Sequence, residues 1–314
     1  MTSTMDYSTT TTLGLIGCGI WGRVILRDLK DLGHRVWVVE PDTTARLEIA
    51  GIADGVVSDV STLPGVSGLV VATPASTHFA VVSSLLSREV PILCEKPLTT
   101  DIEEARALVA RAGGRLFVGH VWCYHPGVEE LAKIARTAEL GPVLALRSTR
   151  TNWASPRRDV DSVWNLAPHD LSLAQYILGS IPEPRYAHAE IVHGRCVGMI
   201  GILGSTPSAI FEVSNRFREK RREIRLHCRE GVAVLGDPDS GQIEITRGGP
   251  GGKPELELRA VDREPALLRE LRAFCAFLNG GVAPRASAAD GLAVVEALEA
   301  LRGLAGLPAA NGTS

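Results

Sequence analysis

The chain has 314 residues, of which 45 % are hydrophobic and 22 % charged, and its formal net charge is −3. That length suits one large or two ordinary domains, and the apolar content supplies a substantial core. The charge gives no electrostatic ground for a nucleic-acid ligand, and the longest apolar stretches, such as "CVGMIGILG" (196–204), are far too short to span a bilayer.

The first twelve residues, "MTSTMDYSTTTT", lack the basic and apolar regions of a signal peptide and read as a disordered lead-in (1–12). The six cysteines carry no CxxC pair, a pattern that fits reduced thiols better than a disulfide framework or a zinc site. The expectation is a cytoplasmic protein without a membrane partner.

From residue 13 onward, short apolar runs alternate with helix-like stretches. Strands are predicted at 13–16, 36–39, 56–57, 69–72, 91–94 and 116–118, with helices at 21–32, 77–87 and 102–112 between several of them. Such alternation predicts a parallel, doubly wound sheet covered on both faces. After a helix near 127–138 the pattern changes. A strand at 143–153 and one helix, "APHDLSLAQYILG", lead into seven strand-like runs between 186 and 261. Their tight Gly/Asp turns, as in "REGVAVLGDPDSGQIEI", indicate an antiparallel sheet. Two helices near 264–279 and 288–304 end the chain. The expected organisation is an α/β Rossmann domain over 13–120 and an α+β domain with a large, mainly antiparallel open sheet over 121–314.

The first strand runs into "LGLIGCGIWG", which puts Gly17, Gly19 and Gly22 in GxGxxG spacing ahead of a helix. In that context the first glycine permits the tight turn, the second admits a pyrophosphate to the backbone, and the third lets helix and sheet pack closely. Ile20 and Trp21 lie inside the same loop. Glu40 ends the second strand, "VWVVE", where a carboxylate accepts ribose hydroxyls and repels a 2′-phosphate. With Pro41 and Asp42 following in place of an arginine, NAD is favoured over NADP. The fourth strand ends in "ATPASTH", whose Thr73, Pro74 and His78 are candidates to wall the nicotinamide ribose. A helix cap by Ser76 or Thr77 is an equally ordinary reading of that loop.

The fifth strand ends in "LCEKPL", which directs Glu95 and Lys96 to the edge that carries the glycine loop. Taken together, "GCGIWG", "ATPASTH", "EKP" and "NLAPHDLSLAQYILG" resemble the glucose–fructose oxidoreductase/inositol dehydrogenase (Gfo/Idh/MocA) family, over essentially residues 13–305. The resemblance implies that Lys96 contacts substrate and nicotinamide, that His169 exchanges the proton of the substrate hydroxyl, and that the second domain binds substrate and forms a dimer or tetramer. Histidine suits its role because its ordinary pKa lies near neutrality. For Lys96 the alternative is a strand-end lysine reaching to water, and for His169 a capping or core histidine.

The sequence departs from that family at position 165, where asparagine stands in place of the usual aspartate. Asn165 still hydrogen-bonds a hydroxyl, but it holds no negative charge beside His169. Ordinary dehydrogenation, a preference for ketone reduction and a weakened enzyme all remain open on this ground.

Among family members the sequence is closest in flavour to those acting on nucleotide-activated sugars. Tyr124 and His125 follow the sixth strand and should border the cleft. Arg150 and Asn152 resemble positions on the sheet floor that touch sugar hydroxyls. Arg157 and Arg158 lie in a polar loop that could close over substrate. The basic run "RFREKRREIR" (216–225) reads first as alternating charges on an exposed strand, and no metal-ligand spacing is present. The expected activity is therefore hydride transfer between NAD and an alcohol or keto carbon of a sugar or nucleotide sugar. The alternatives are reduction of an imine or non-sugar ketone, and a non-catalytic NAD-binding sensor.

Overall fold

The computed structural model describes residues 10–153, 159–248 and 253–308. The loop positions Arg157 and Arg158 lie outside these described residues.

The first half builds β1 (Thr12–Ile16), α1 (Ile20–Asp31), β2 (Arg35–Val39), α2 (Thr43–Ile49), β3 (Gly55–Val57), β4 (Gly68–Val71), α3 (His78–Leu85), β5 (Ile92–Glu95), α4 (Ile102–Ala112) and β6 (Leu116–Gly119). The six strands form one parallel sheet in the order β3-β2-β1-β4-β5-β6. Chain order reverses between β1 and β4, so the crevice beyond their carboxyl ends is where such a sheet takes a ligand.

The two-residue period of the strands sorts their side chains into two cores. Leu13, Leu15, Val36, Val38, Val70, Leu93 and Phe117 enter one, where Ile25, Leu26 and Leu29 of α1 cover them. Ile16, Val39, Leu69, Val71, Ile92, Cys94, Leu116 and Val118 enter the other, beneath Val82 and Leu85 of α3 and Ala105 and Leu108 of α4. Both faces are therefore dry, which is why these strands read as continuous apolar runs.

The second half continues through α5 (Pro126–Thr137), β7 (Val143–Trp153), α6 (Ser162–Leu178), β8 (Pro184–Val192), β9 (Arg195–Leu203), β10 (Ser208–Ser214), β11 (Arg216–Cys228), β12 (Gly231–Leu235), β13 (Gln242–Arg247) and β14 (Glu255–Ala260), then α7 (Ala266–Leu278) and α8 (Ala288–Leu304). Its eight strands lie in the order β14-β13-β12-β11-β7-β10-β9-β8. All neighbours are antiparallel except β7 and β10.

Two elements tie the halves together. Leu267, Leu271, Phe274 and Cys275 of α7 return to the α1 side of the first sheet. On the opposite side, α8 packs against α4 and α6 and begins in a capping box between Ser287 and Asp290. Among the described residues no helix is long and apolar enough to cross a membrane, and all six cysteines are buried and free.

Candidate active site

The glycine loop has the local geometry that its three glycines require. Gly17 adopts φ +87°, and a Cβ there would lie 2.8 Å from the Thr73 side chain. A Cβ on Gly22 would stand 2.4 Å from the Gly17 carbonyl, so only glycine lets α1 start this close to the turn. A Cβ on Gly19 would meet nothing within 4 Å, leaving open space in front of the helix N-terminus. Glu40 follows β2 directly and is buried, and its carboxylate accepts from the Cys18 N–H (2.8 Å) and the Asp42 N–H (3.0 Å). An open backbone approach with a fixed carboxylate beside it fits a dinucleotide. Gly17, Gly19 and Gly22 would hold the pyrophosphate, and the remaining lone pairs of Glu40 the adenosine ribose.

Next to this loop opens a cleft of about 630 Å³ between the first sheet and the second half of the chain. Trp21, Thr73, Glu95 and Lys96 line its first-sheet side. Trp122, His125, Asn165, His169 and Arg222 line the other, and Asp239, Asp262, Arg263 and Glu264 lie along its mouth. The indole of Trp21 donates to the Glu95 carboxylate (2.6 Å), joining the start of α1 to the end of β5. Lys96 follows β5 directly and precedes a cis proline.

The other wall is α6, which begins one turn earlier than the pattern predicts because Asp161 caps it, accepting from the Val163 and Trp164 N–H groups. Asn165 and His169 are one turn apart and share the cleft face. Pro168 between them carries no N–H for the carbonyl of Trp164. Lys96 Nζ donates to the next carbonyl, that of Asn165 (2.7 Å), and to Asn165 Oδ1 (3.2 Å).

The electrostatics of this wall are one-sided. Burial holds the His169 imidazole well below its ordinary pKa of 6.5, and the charges of Lys96, Arg150 and Arg222 push it the same way. Its Nδ1 is buried without a hydrogen-bond partner among the described residues. Behind it, His120 is buried with both ring nitrogens unpartnered among the described residues, and burial, helped by Lys96, lowers it to about 4. Both rings are neutral near pH 7.

Several expected contacts lie elsewhere. Tyr124 is buried, and its hydroxyl accepts from the Arg285 N–H (2.8 Å) rather than facing the cleft. Arg150 is 4 % exposed, pairs with Asp170 (2.9 Å) and stacks 4.4 Å from the Trp122 ring, so it braces the sheet floor from inside. Asn152 does not line the cleft, and its Oδ1 is buried and unpartnered among the described residues. His78 is 1 % exposed, with its ring nitrogens against the carbonyls of Pro97 (2.7 Å) and Thr73 (3.0 Å), so it pins the two loops together instead of walling the ribose. Pro74 is exposed outside the cleft, and Ile20, 92 % exposed, also falls outside it. Trp122 and Arg222 are among the lining residues that sequence reasoning missed, as are Asp239, Asp262, Arg263 and Glu264. His125, expected there, lines the cleft while its Nδ1 accepts from Gly127 N–H and caps α5.

Comparison with known proteins bears on the fold and the cofactor. Residues 11–121 match a family model described as "Oxidoreductase family, NAD-binding Rossmann fold". The UDP-N-acetylglucosamine 3-dehydrogenase of Acidithiobacillus ferrooxidans is 29 % identical over 89 % of this chain and 91 % of its own. Inositol 2-dehydrogenase 4 of Saccharopolyspora erythraea is 27 % identical over 92 % of this chain and 91 % of its own. A crystal structure of the former superposes with TM-score 0.81 at 24 % identity, covering 94 % of this chain and 98 % of that one, and so shows the shared fold. Residues 11–121 thus match the NAD-binding part of the Gfo/Idh/MocA oxidoreductases, and over most of its length, including the switch to an antiparallel sheet, the chain is similar to dehydrogenases of that type.

Proposed function

We propose that the protein is an NAD-dependent dehydrogenase or ketoreductase acting on a secondary alcohol or ketone carbon of a sugar or nucleotide-activated sugar. The observation that carries this reading is the meeting of Lys96 with the Asn165–His169 face of α6 across one cleft, beside the glycine loop. Bound NAD would supply the hydride acceptor in oxidation and the donor in reduction. The chain's own part is alignment and proton traffic.

In oxidation, a carbinol seated between Lys96 and His169 loses its hydroxyl proton to the neutral imidazole, while Lys96 donates a hydrogen bond to the same oxygen. In reduction the two groups return that proton to the new alkoxide. Asn165 positions the Lys96 ammonium. Trp21, bonded to Glu95, closes the cleft on the cofactor side and limits access of water. The named activities of the two relatives, on UDP-N-acetylglucosamine and inositol, support a polyhydroxylated substrate.

The test is NADH formation with UDP-N-acetylglucosamine and myo-inositol, and NADH consumption with their keto counterparts. Turnover that Lys96→Met and His169→Phe each abolish supports the assignment. Tight NADH binding with no turnover on any of these substrates favours a sensor. Assembly through the second sheet is proposed as well, because Tyr186, Ile191, Ile200, Leu256 and Leu258 are exposed on its strands. Sedimentation equilibrium tests it, and a monomer at micromolar concentration contradicts it.

A further inference from the structure

Arg222 sits halfway along β11, where the exposed basic run turns inward. It is only partly exposed, and its guanidinium lies 5.8 Å from the centroid of the Trp122 ring. Its neighbour across the ladder, Arg150, occupies the other available carboxylate, Asp170. Among the described residues Arg222 makes no hydrogen bond and no ion pair. Asp239 is felt only at a distance from an exposed position. Burial and the like charge of Arg150 both press against its charged form, which leaves a strained cation facing the cleft.

Acids line the cleft as well, Glu95, Asp239, Asp262 and Glu264, but the charges that act on His169 are positive. Lys96 and Arg222 both act on His169, and residue 165 is a neutral amide. A planar guanidinium with unused donors is suited to a bidentate oxyanion. We infer that Arg222 and Trp122 form an anion subsite, and that the substrate carries a carboxylate or phosphate that docks on Arg222 beside the carbon held between Lys96 and His169. The bound anion completes the charge of the site. It brings negative charge to the wall that holds His169, and it stabilises the imidazolium formed there during oxidation. This inference deepens the proposed sugar reading and rests on it only for the carbon skeleton.

Calorimetric titration of the protein–NAD complex with matched pairs tests it. The pairs are glucuronate against glucose, UDP-N-acetylglucosamine against N-acetylglucosamine, and tartrate against threitol. At least one anion is expected to bind about tenfold more tightly than its neutral counterpart. Arg222→Gln should bring that ratio close to one, and Arg222→Lys should keep part of it, with both variants matching the parent in circular dichroism and Tm. Preference for glucuronate identifies a carboxylate, and preference for the UDP-sugar alone identifies a phosphate. If only tartrate shows the preference and no sugar binds, the sugar reading fails while the subsite stands. Equal binding within every pair, or a preference that survives Arg222→Gln, overturns the subsite.

Discussion

The ammonium of Lys96 is held 2.7 Å from the main-chain carbonyl of Asn165 and 3.2 Å from its side-chain oxygen. The amide thus fixes the lysine of one sheet against the helix of the other half without adding charge. Asn165→Asp would keep this geometry and place a negative charge one turn from His169. A carboxylate favours the imidazolium and therefore raises the proton affinity of His169. In the proposed mechanism oxidation requires the neutral ring, so the acid limb of kcat/KM for oxidation should move to higher pH, by about one unit. NADH affinity should be unchanged. An identical pH–rate curve for the variant would remove Asn165 from the mechanism.

Two glycines of the loop proposed to hold the phosphates should separate fold from cofactor binding. Alanine at position 22 meets the Gly17 carbonyl at 2.4 Å, so Gly22→Ala should destabilise the chain as well as lose NADH. Gly19 has φ −66° and open space before it, which alanine tolerates in the free protein. Gly19→Ala should therefore keep the parent Tm and weaken NADH binding by about 1–3 kcal/mol, as the methyl takes up the space of the pyrophosphate. Fluorescence titration alongside thermal melts measures both. Parent-like NADH affinity in a folded Gly19→Ala protein would displace the phosphates from this loop.

What the sequence made legible follows period and order. The alternation of short apolar runs with helices specifies the parallel sheet, because both of its faces are buried by helices encoded nearby. Parity also puts Arg150 on the inner side of β7, whose even-numbered residues from Leu146 to Arg150 are buried, while buried Thr151 and half-buried Asn152 break the alternation. Parity does not say whether that inner side meets core or cleft. Asp170, twenty residues later, decides it by capturing Arg150. Tyr124 lies in a short 3-10 turn, where adjacent residues fan out by about 120° and the facing residue has no readable period. Trp122 and His125 take the cleft and Tyr124 turns to Arg285. Arg222 hid directly behind a run of six exposed residues, at the point where the strand begins to turn in. Its exposure depends on β11 pairing with β7, a contact about seventy residues apart.

His120 links the site to acid stability. In the folded chain its pKa falls to about 4, against an ordinary 6.5 in the unfolded chain. Between these values the unfolded state binds the proton and the native state does not, so stability falls as pH drops from 6.5 towards 4. The two values differ by roughly 2.5 units, which corresponds to about 3 kcal/mol. His120→Gln removes the titrating group. Its destabilisation relative to the parent should shrink by about that amount between pH 7 and pH 4, as read by urea unfolding. A difference that stays constant across this range would mean that the ring is protonated in place.

Glu270 on α7 poses the opposite problem. It is 1 % exposed, both carboxyl oxygens lack partners among the described residues, and burial, with the nearby Glu95 charge, raises its pKa well above 4.5. The native state therefore keeps a proton that the unfolded chain releases above its ordinary carboxyl pKa. Stability contributed by this residue declines as pH rises from there, because the native state binds more protons than the unfolded state. Glu270→Gln preserves shape and never ionises, so the cost of holding a neutral acid disappears. The variant should resist urea better than the parent at pH 8, and its advantage should fade below the ordinary carboxyl pKa, where both side chains are neutral in both states. A gain of equal size in both ranges would point to packing, and a loss at pH 8 would show that the carboxylate is charged and bound in the native protein.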